Sequence, residues 1–356
     1  MAEISGTDPD KLIDFSASIN PLSASGCVSQ LLLETPRLLR EYPDPHCSVI
    51  TERISEVTGV PEDWIRVTNG STEMIYLLPH LFHEGQEIAI IEPCFSEYEK
   101  SFMAFGIQSH SIELEANNGF QVSPFWLFSR LDTIQQLGAI VLGNPASPTG
   151  KLYGDLLPQL QEYCERRDLI LIVDEAFIDF SSPDNSAWNL LNRNSNLILI
   201  RSLTKFYSIP GLRVGYGILH PEKIQKIAPR QYPWSVNALA QAVGAEVILD
   251  KTFQENTRAW THHERSFMFQ ALGSIKEVEV FPSDANYLLF RIRDNSPPVS
   301  LYQHLLSQSL LVRNCGNFKG LDERFFRISL RERRENQELV DSISAYFSSC
   351  NRDQVK

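Results

Sequence analysis

Lys205 stands between an apolar run and a Gly-Leu-Arg turn in the stretch Leu197 to Gly217, LILIRSLTKFYSIPGLRVGYG. A strand-like segment ends in Arg201-Ser202-Leu203-Thr204 and delivers this lysine, and Arg213 follows eight residues later. A lysine at the end of a buried strand lies in low dielectric, which disfavours its ammonium form and readies the amine for carbonyl chemistry. Ser202, Thr204 and Arg213 offer the hydroxyl and guanidinium donors that a phosphate needs. An imine-forming amine beside a phosphate site points to pyridoxal phosphate, which carries an aldehyde and a phosphate on one ring.

Other residues bear on the same chemistry. Asp174, in LILIVDEAFIDF, follows another strand-like run. A carboxylate there keeps a pyridine nitrogen protonated; in isolation a cap after a strand is the favoured reading, and Lys205 and Arg213 beside it reverse that. Asn69-Gly70-Ser71-Thr72-Glu73 sits between a strand-like Trp64–Val67 and a helix. Glycine allows close backbone approach there, and N–H groups at a helix start bind anions. Phe95, after the run ending at Glu92, offers an aromatic face for a planar ring. Arg313, Arg327 and Arg331 lie in LVRNCGNFKGLDERFFRISLR. Three arginines around one loop suit a dianion better than isolated surface ion pairs, and Arg327 and Arg331 share strand parity. Gly143 to Lys151 (GNPASPTGK) superficially suggests a phosphate-binding P-loop. Six residues separate its glycines, Leu152 stands where Ser or Thr should be, and two prolines remove donors. Nucleotide binding through this turn is rejected, and no G-x-G-x-x-G speaks for a dinucleotide.

The elements that position these residues follow from periodicity. Glu87–Glu92, Ala139–Gly143, Leu169–Asp174, Leu197–Arg201 and Val214–Leu219 are short apolar runs, several without alternation, as in strands buried on both faces. Thr72–Phe82 and Leu156–Arg167 between them read as helices. The alternation predicts an α/β doubly wound core over about 42–245, with ligands beyond the carboxyl ends of a mostly parallel sheet. From about residue 246 a charged helix over 251–272, strands at Val278–Phe281 and Asn286–Arg293, a helix at Ser300–Ser309 and a strand-loop-strand over 311–330 predict a small α+β domain. Residues 1–41 are expected to pack on it as an N-terminal arm, and NRDQVK (351–356) to fray.

Composition limits the alternatives. A formal charge of −12 argues against nucleic-acid or acidic-membrane binding. The cysteines Cys27, Cys47, Cys94, Cys164, Cys315 and Cys350 have no metal-ligand spacing, so no metal is expected and they read as reduced thiols of a cytoplasmic protein. The adjacent His262 and His263 read as a solvated helix face. No secretory signal or membrane span is expected.

Together these segments resemble fold-type-I PLP enzymes of the class I/II aminotransferase superfamily over essentially the whole chain. Within it the chain is similar to the branch holding histidinol-phosphate aminotransferases and L-threonine-O-3-phosphate decarboxylases. DFSASINPL (14–22), NGSTE (69–73), DEAFIDF (174–180), RSLTKFYSIPGLRVGY (201–216), PWSVNALAQ (233–241) and VRNCGNFKGLD (312–322) pull toward the decarboxylases. The resemblance implies a seven-stranded-type large-domain sheet and a homodimer with shared active sites. It implies Lys205 as the Schiff-base lysine, Asp174 as pyridinium partner, Phe95 as ring stacker, and Gly70, Ser71, Thr72, Ser202, Thr204 and Arg213 as phosphate holders. Tyr42, in Tyr42-Pro43-Asp44, would reach the phosphate of the neighbouring subunit. Arg327 would take the substrate carboxylate, with Arg313 and Arg331 near the substrate phosphate and Asn20 in the segment closing over it. The implied reaction is α-decarboxylation of threonine phosphate or serine phosphate for cobalamin biosynthesis, with transamination of histidinol phosphate as the alternative and a nucleotide-binding α/β protein as the contrasting class. Ser147 stands where the family has an asparagine on the cofactor's phenolic oxygen, Phe177 where some members have tyrosine, and Ser18 where an asparagine is expected. Fewer donors at that oxygen imply a lysine–cofactor linkage with a less depressed pKa.

Overall fold

The computed structural model describes residues 11–353 other than 23, 25, 34, 192–195 and 294–297. The first ten residues of the expected arm and the last three of the expected frayed tail lie outside the described residues. Residues 351–353 belong instead to a long final helix, Arg333–Asp353.

Thirteen strands are found among the described residues: β1 (Ile13–Asp14), β2 (Ile65–Thr68), β3 (Glu87–Glu92), β4 (Gln108–Glu113), β5 (Leu137–Gly143), β6 (Ile170–Asp174), β7 (Leu197–Ser202), β8 (Gly215–Ile218), β9 (Val278–Val280), β10 (Tyr287–Ile292), β11 (Leu310–Leu311), β12 (Arg313–Asn314) and β13 (Phe325–Ser329). Seven form one sheet in the order β2-β8-β7-β6-β5-β3-β4. All its pairings are parallel except those of β8, which runs against both β2 and β7. This is the mixed sheet of a fold-type-I α/β enzyme. The central β5, β6 and β7 are buried almost throughout. Helices cover both faces, so an unbroken apolar run is more stable there than an alternating one. β4 has the polar sequence QSHSIE, which gives no such signal, because it is the sheet's edge.

The helix expected at Thr72–Phe82 begins earlier, at Gly70, and gives way at Leu77 to a 3₁₀ turn over Leu78–Leu81. Pro79 lies in that turn and has no N–H to continue the α-helical ladder. The helix start presses onto β8. A Cβ on Gly215 would fall 2.6 Å from the Ser71 backbone nitrogen and 2.7 Å from the Arg201 carbonyl oxygen. Glycine at 215 therefore lets the Gly70–Leu77 helix sit against the sheet beside the end of β7.

The second sheet is antiparallel, β12-β13-β10-β9, and β1 pairs in parallel with β11. Phe15, Leu288, Phe290, Phe326, Ile328, Ile343 and their neighbours form an apolar core separate from those flanking the large sheet. Phe15 thus ties the N-terminal segment to the small sheet. Five residues on, the backbone N–H of Asn20 donates to the Lys205 carbonyl at 3.0 Å. The stretch between is a strap from the small sheet to the end of β7. No helix among the described residues is long and apolar enough to cross a membrane.

Candidate active site

β6 and β7 are parallel neighbours with Asp174 opposite Ile200, so the side chains that follow them emerge at one edge of the sheet. Lys205 Nζ lies there, 3.4 Å from Ser202 Oγ and 5.0 Å from the centroid of the Phe177 ring. Burial pushes the lysine's pKa down, partly offset by the Asp174 charge, while Arg213 and Arg327 push it further down. Asp174 is buried too, and its carboxyl is raised by burial and drawn back by Lys205 and by hydrogen bonds. Its Oδ2 accepts from the Tyr98 phenol at 2.6 Å, and its Oδ1 from the Ala176 N–H at 2.8 Å. A neutral-prone amine and an oriented acid therefore face one space.

Next to them is a cup of donors. Ser71 and Thr72 open the Gly70–Leu77 helix, whose first N–H groups have no intrahelical partner. Ser202 and Thr204 hydroxyls lie 2.8 Å apart. Arg213 has left-handed backbone (φ 59°) and reaches across to Gly70, itself at φ 74°. A Cβ on Gly70 would come within 2.6 Å of Arg213 Nη2. Among the described residues Arg213 has no carboxylate partner, its one hydrogen bond being to the Pro210 carbonyl at 3.3 Å. A helix start, two hydroxyls and an unpaired guanidinium form a site for a doubly charged phosphate. Ser71, Thr72, Thr204 and Arg213, with Lys205 and Asp174, border a cavity of about 320 Å³, closed on one side by Ala17, Ser18 and Ile19 of the strap. Phe95, 39% exposed, presents its ring at the same cavity. These residues fit pyridoxal phosphate: an amine for the aldehyde, an acid for the ring nitrogen, a cup for the phosphate and an aromatic face.

The arginines divide. Arg327 on β13 borders the cavity and donates to Ser147 Oγ at 3.0 Å and to the Ser16 carbonyl at 2.9 Å; its Nε is buried without a partner. Arg313 lies opposite Arg327 in the β12–β13 register and donates to Asn317 at 2.8 Å. Neither has a carboxylate partner among the described residues. Neither Arg313 nor Arg331 borders the cavity. β13 ends at Ser329, so the strand parity invoked for Arg331 does not extend to it. Its guanidinium pairs with Glu335 at 2.9 Å and also reaches the Asp14 carbonyl. Asn20 is likewise redirected. Its amide donates to the Phe206 carbonyl at 2.8 Å and Thr257 Oγ1 at 3.2 Å, and accepts from the Leu22 N–H. Asn20 therefore anchors the strap, and Ala17 to Ile19 face the cavity. Ser18 is buried and hydrogen-bonded to Ser329 at 3.0 Å. Tyr42 is 81% exposed, stacked on Trp234 at 4.9 Å, and does not border its own chain's cavity.

Tyr98 and Tyr287 escape the sequence reading. Tyr98 lies three residues after Phe95, but its 76-residue separation from Asp174 gives no local cue. Tyr287 opens β10 and places its ring under Arg327, centroid to guanidinium 5.2 Å.

The chain matches the family model described as Aminotransferase class I and II over residues 10–343. It is 33% identical to the threonine-phosphate decarboxylase of Salmonella typhimurium, with 96% of this chain and 93% of that protein covered. The solved histidinol-phosphate aminotransferase of Clostridium acetobutylicum superposes with a TM-score of 0.88 at 28% identity, covering 95% of this chain and all of that one. The histidinol-phosphate aminotransferase of Sinorhizobium meliloti, solved in complex with pyridoxal-5'-phosphate, shares the fold with a TM-score of 0.86 at 15% identity, covering 98% and 95% of the two chains. A match running from the strap to the last helix, with the lysine, acid and cup in one cavity, makes this chain a member of the class I and II aminotransferase family.

Proposed function

We infer that the chain is a cytoplasmic PLP-dependent lyase that decarboxylates L-threonine O-3-phosphate, or L-serine O-phosphate, to the amino-alcohol phosphate used in cobalamin biosynthesis. The observation that carries this reading is the register pair Arg313 and Arg327. These two guanidiniums without acidic partners stand opposite each other on adjacent strands, with Arg327 bordering the cavity that Arg213 also lines. A substrate bearing both a carboxylate and a phosphate engages both. The similarity to the Salmonella decarboxylase supports the same choice.

Lys205, Asp174, Phe95 and the cup of Gly70, Ser71, Thr72, Ser202, Thr204 and Arg213 are assigned to the cofactor. When bound, pyridoxal phosphate supplies an electron sink for the pair left as carbon dioxide departs. Asp174 keeps a proton at the pyridine nitrogen, and Tyr98 orients Asp174. Arg327 would hold the substrate carboxylate, while Arg313 would hold the substrate phosphate. Lys205 Nζ would donate the one proton that Cα takes up in place of the departing carboxylate. The strap of Ala17 to Ile19 excludes water. A large domain over 42–245, a small one over 246–356 and an arm over 1–41 agree with the two sheets and their separate cores. A homodimer accounts for Tyr42, which is exposed and turned from its own cavity, as a ligand to the partner's phosphate.

The holoenzyme incubated with L-threonine phosphate is expected to release carbon dioxide. Glutamate from histidinol phosphate and 2-oxoglutarate, without carbon dioxide from the first substrate, would overturn the assignment in favour of transamination.

A further inference from the structure

Ser147 occupies a position from which the family's asparagine addresses the cofactor, yet its surroundings point elsewhere. Its Oγ accepts from Arg327 Nη1 at 3.0 Å. Tyr287 is fully buried and donates to the carbonyl of Ala146, the residue before Ser147, at 3.0 Å. The same ring underlies the Arg327 guanidinium at 5.2 Å and meets Phe177 edge to face at 5.0 Å. Further along the loop, the Asp284 N–H donates to the Gly150 carbonyl at 2.7 Å. The small sheet and its loops therefore grip the turn over 146–150 at three points, and two of them involve Arg327 or the ring beneath it.

The donor count makes the arrangement specific. A serine hydroxyl has one proton and two acceptor sites. One acceptor site is filled by Arg327, and the hydroxyl stands one bond closer to the backbone than an asparagine amide would, so it reaches less far toward a ring in the cavity. On the arginine, Nη1 and Nη2 are held by Ser147 and Ser16, so the guanidinium plane is fixed while the buried Nε keeps an unspent donor. A cation held this way is preorganised for a carboxylate.

We propose that Ser147 and Tyr287 are positioning residues for Arg327, that they set its affinity for the substrate carboxylate, and that Ser147 contributes no hydrogen bond to the cofactor's phenolic oxygen. The carboxylate part of this inference rests on the role given to Arg327 above.

The test uses PLP-loaded wild type, Ser147→Ala, Tyr287→Phe and Ser147→Asn, with two readouts. The first is the pH titration of the bound cofactor's visible absorbance. The second is the dissociation constant, followed by the same absorbance, for L-threonine phosphate against 1-aminopropan-2-ol phosphate, which differ only in the carboxylate. Ser147→Ala and Tyr287→Phe are expected to weaken the carboxylate-bearing ligand about tenfold and leave the other unchanged. The titration of Ser147→Ala is expected to overlay wild type, and that of Ser147→Asn to shift to lower pH. A Ser147→Ala midpoint displaced upward by about one pH unit, or equal weakening of both ligands, would overturn the proposal. If the enzyme proves to transaminate, glutamate and histidinol phosphate form the equivalent pair with and without a carboxylate. The decarboxylase reading can thus fall while this inference stands.

Discussion

The Tyr98 phenol donates to Asp174 Oδ2 at 2.6 Å from a position sealed from solvent. Besides the Lys205 charge, Asp174 has this side-chain donor and the Ala176 N–H to oppose the effect of burial, which raises its pKa. Removing the phenol oxygen leaves the carboxyl oxygen short of a donor and lifts that pKa further. An acid that protonates more readily is a poorer counter-ion for a cationic ring nitrogen. Tyr98→Phe is therefore expected to lower kcat by about tenfold with little change in KM. Steady-state kinetics check this, and an unchanged kcat would remove Tyr98 from the apparatus.

Gly70 and Arg213 constrain each other in the phosphate cup. The backbone of Gly70 is in the left-handed region, and an added methyl would meet the guanidinium. The strain of an alanine there amounts to about 1 kcal/mol, and Arg213 must swing away from the helix start. Gly70→Ala is expected to keep its fold by circular dichroism and to bind pyridoxal phosphate at least about tenfold more weakly, as read by absorbance titration. Wild-type affinity in this variant would mean that Arg213 does not serve the phosphate.

Arg327 and Arg331 share strand parity by residue number but not an environment. Arg327 is half-buried at the cavity without an acidic partner, whereas Arg331 keeps 30% of its side-chain surface exposed, lies outside the cavity and pairs with Glu335. Arg327→Gln is expected to lower kcat/KM by about a hundredfold through loss of a buried anion contact. Arg331→Gln should stay within about twofold, because an exposed ion pair contributes at most about 1 kcal/mol. Equal losses in the two variants would restore Arg331 to the substrate site.

The sheet was legible because β5, β6 and β7 bury both faces and therefore read as unbroken apolar runs. β4 was not, since an edge strand has less to bury and its polar residues resemble a loop. Lys205, Asp174 and Arg213 declared themselves by residue type after strand-like runs. Arg331 misled because parity says nothing about where a strand stops. Asn20 misled because the acceptors that claim its amide, the Phe206 carbonyl and Thr257, lie 186 and 237 residues away. Tyr98 and Tyr287 were invisible for a similar reason: an aromatic residue near a strand end is core until a tertiary partner gives its hydroxyl a task.

Burial of Lys205 has a consequence for how the protein captures its cofactor. Only the unprotonated amine attacks an aldehyde, and the folded-state pKa is lowered from the usual 10.5, chiefly by burial. Below the lowered value the amine is charged and capture is slow; above it the rate levels off. Stopped-flow mixing of cofactor-free protein with pyridoxal phosphate should give a rate that rises with pH and reaches its plateau before an exposed lysine would. The Asp174 charge raises the lysine's pKa, so Asp174→Asn should move this profile to still lower pH. Linkage gives the same sign for stability. Between the lowered pKa and 10.5 the unfolded chain binds more protons than the folded one, so this residue's contribution to stability increases with pH across that window. Lys205→Met, with nothing to titrate, should lack that increment when thermal melts of the cofactor-free proteins are compared over the same range. A capture profile with its midpoint at or above 10.5 would mean that the amine is solvated like a surface lysine.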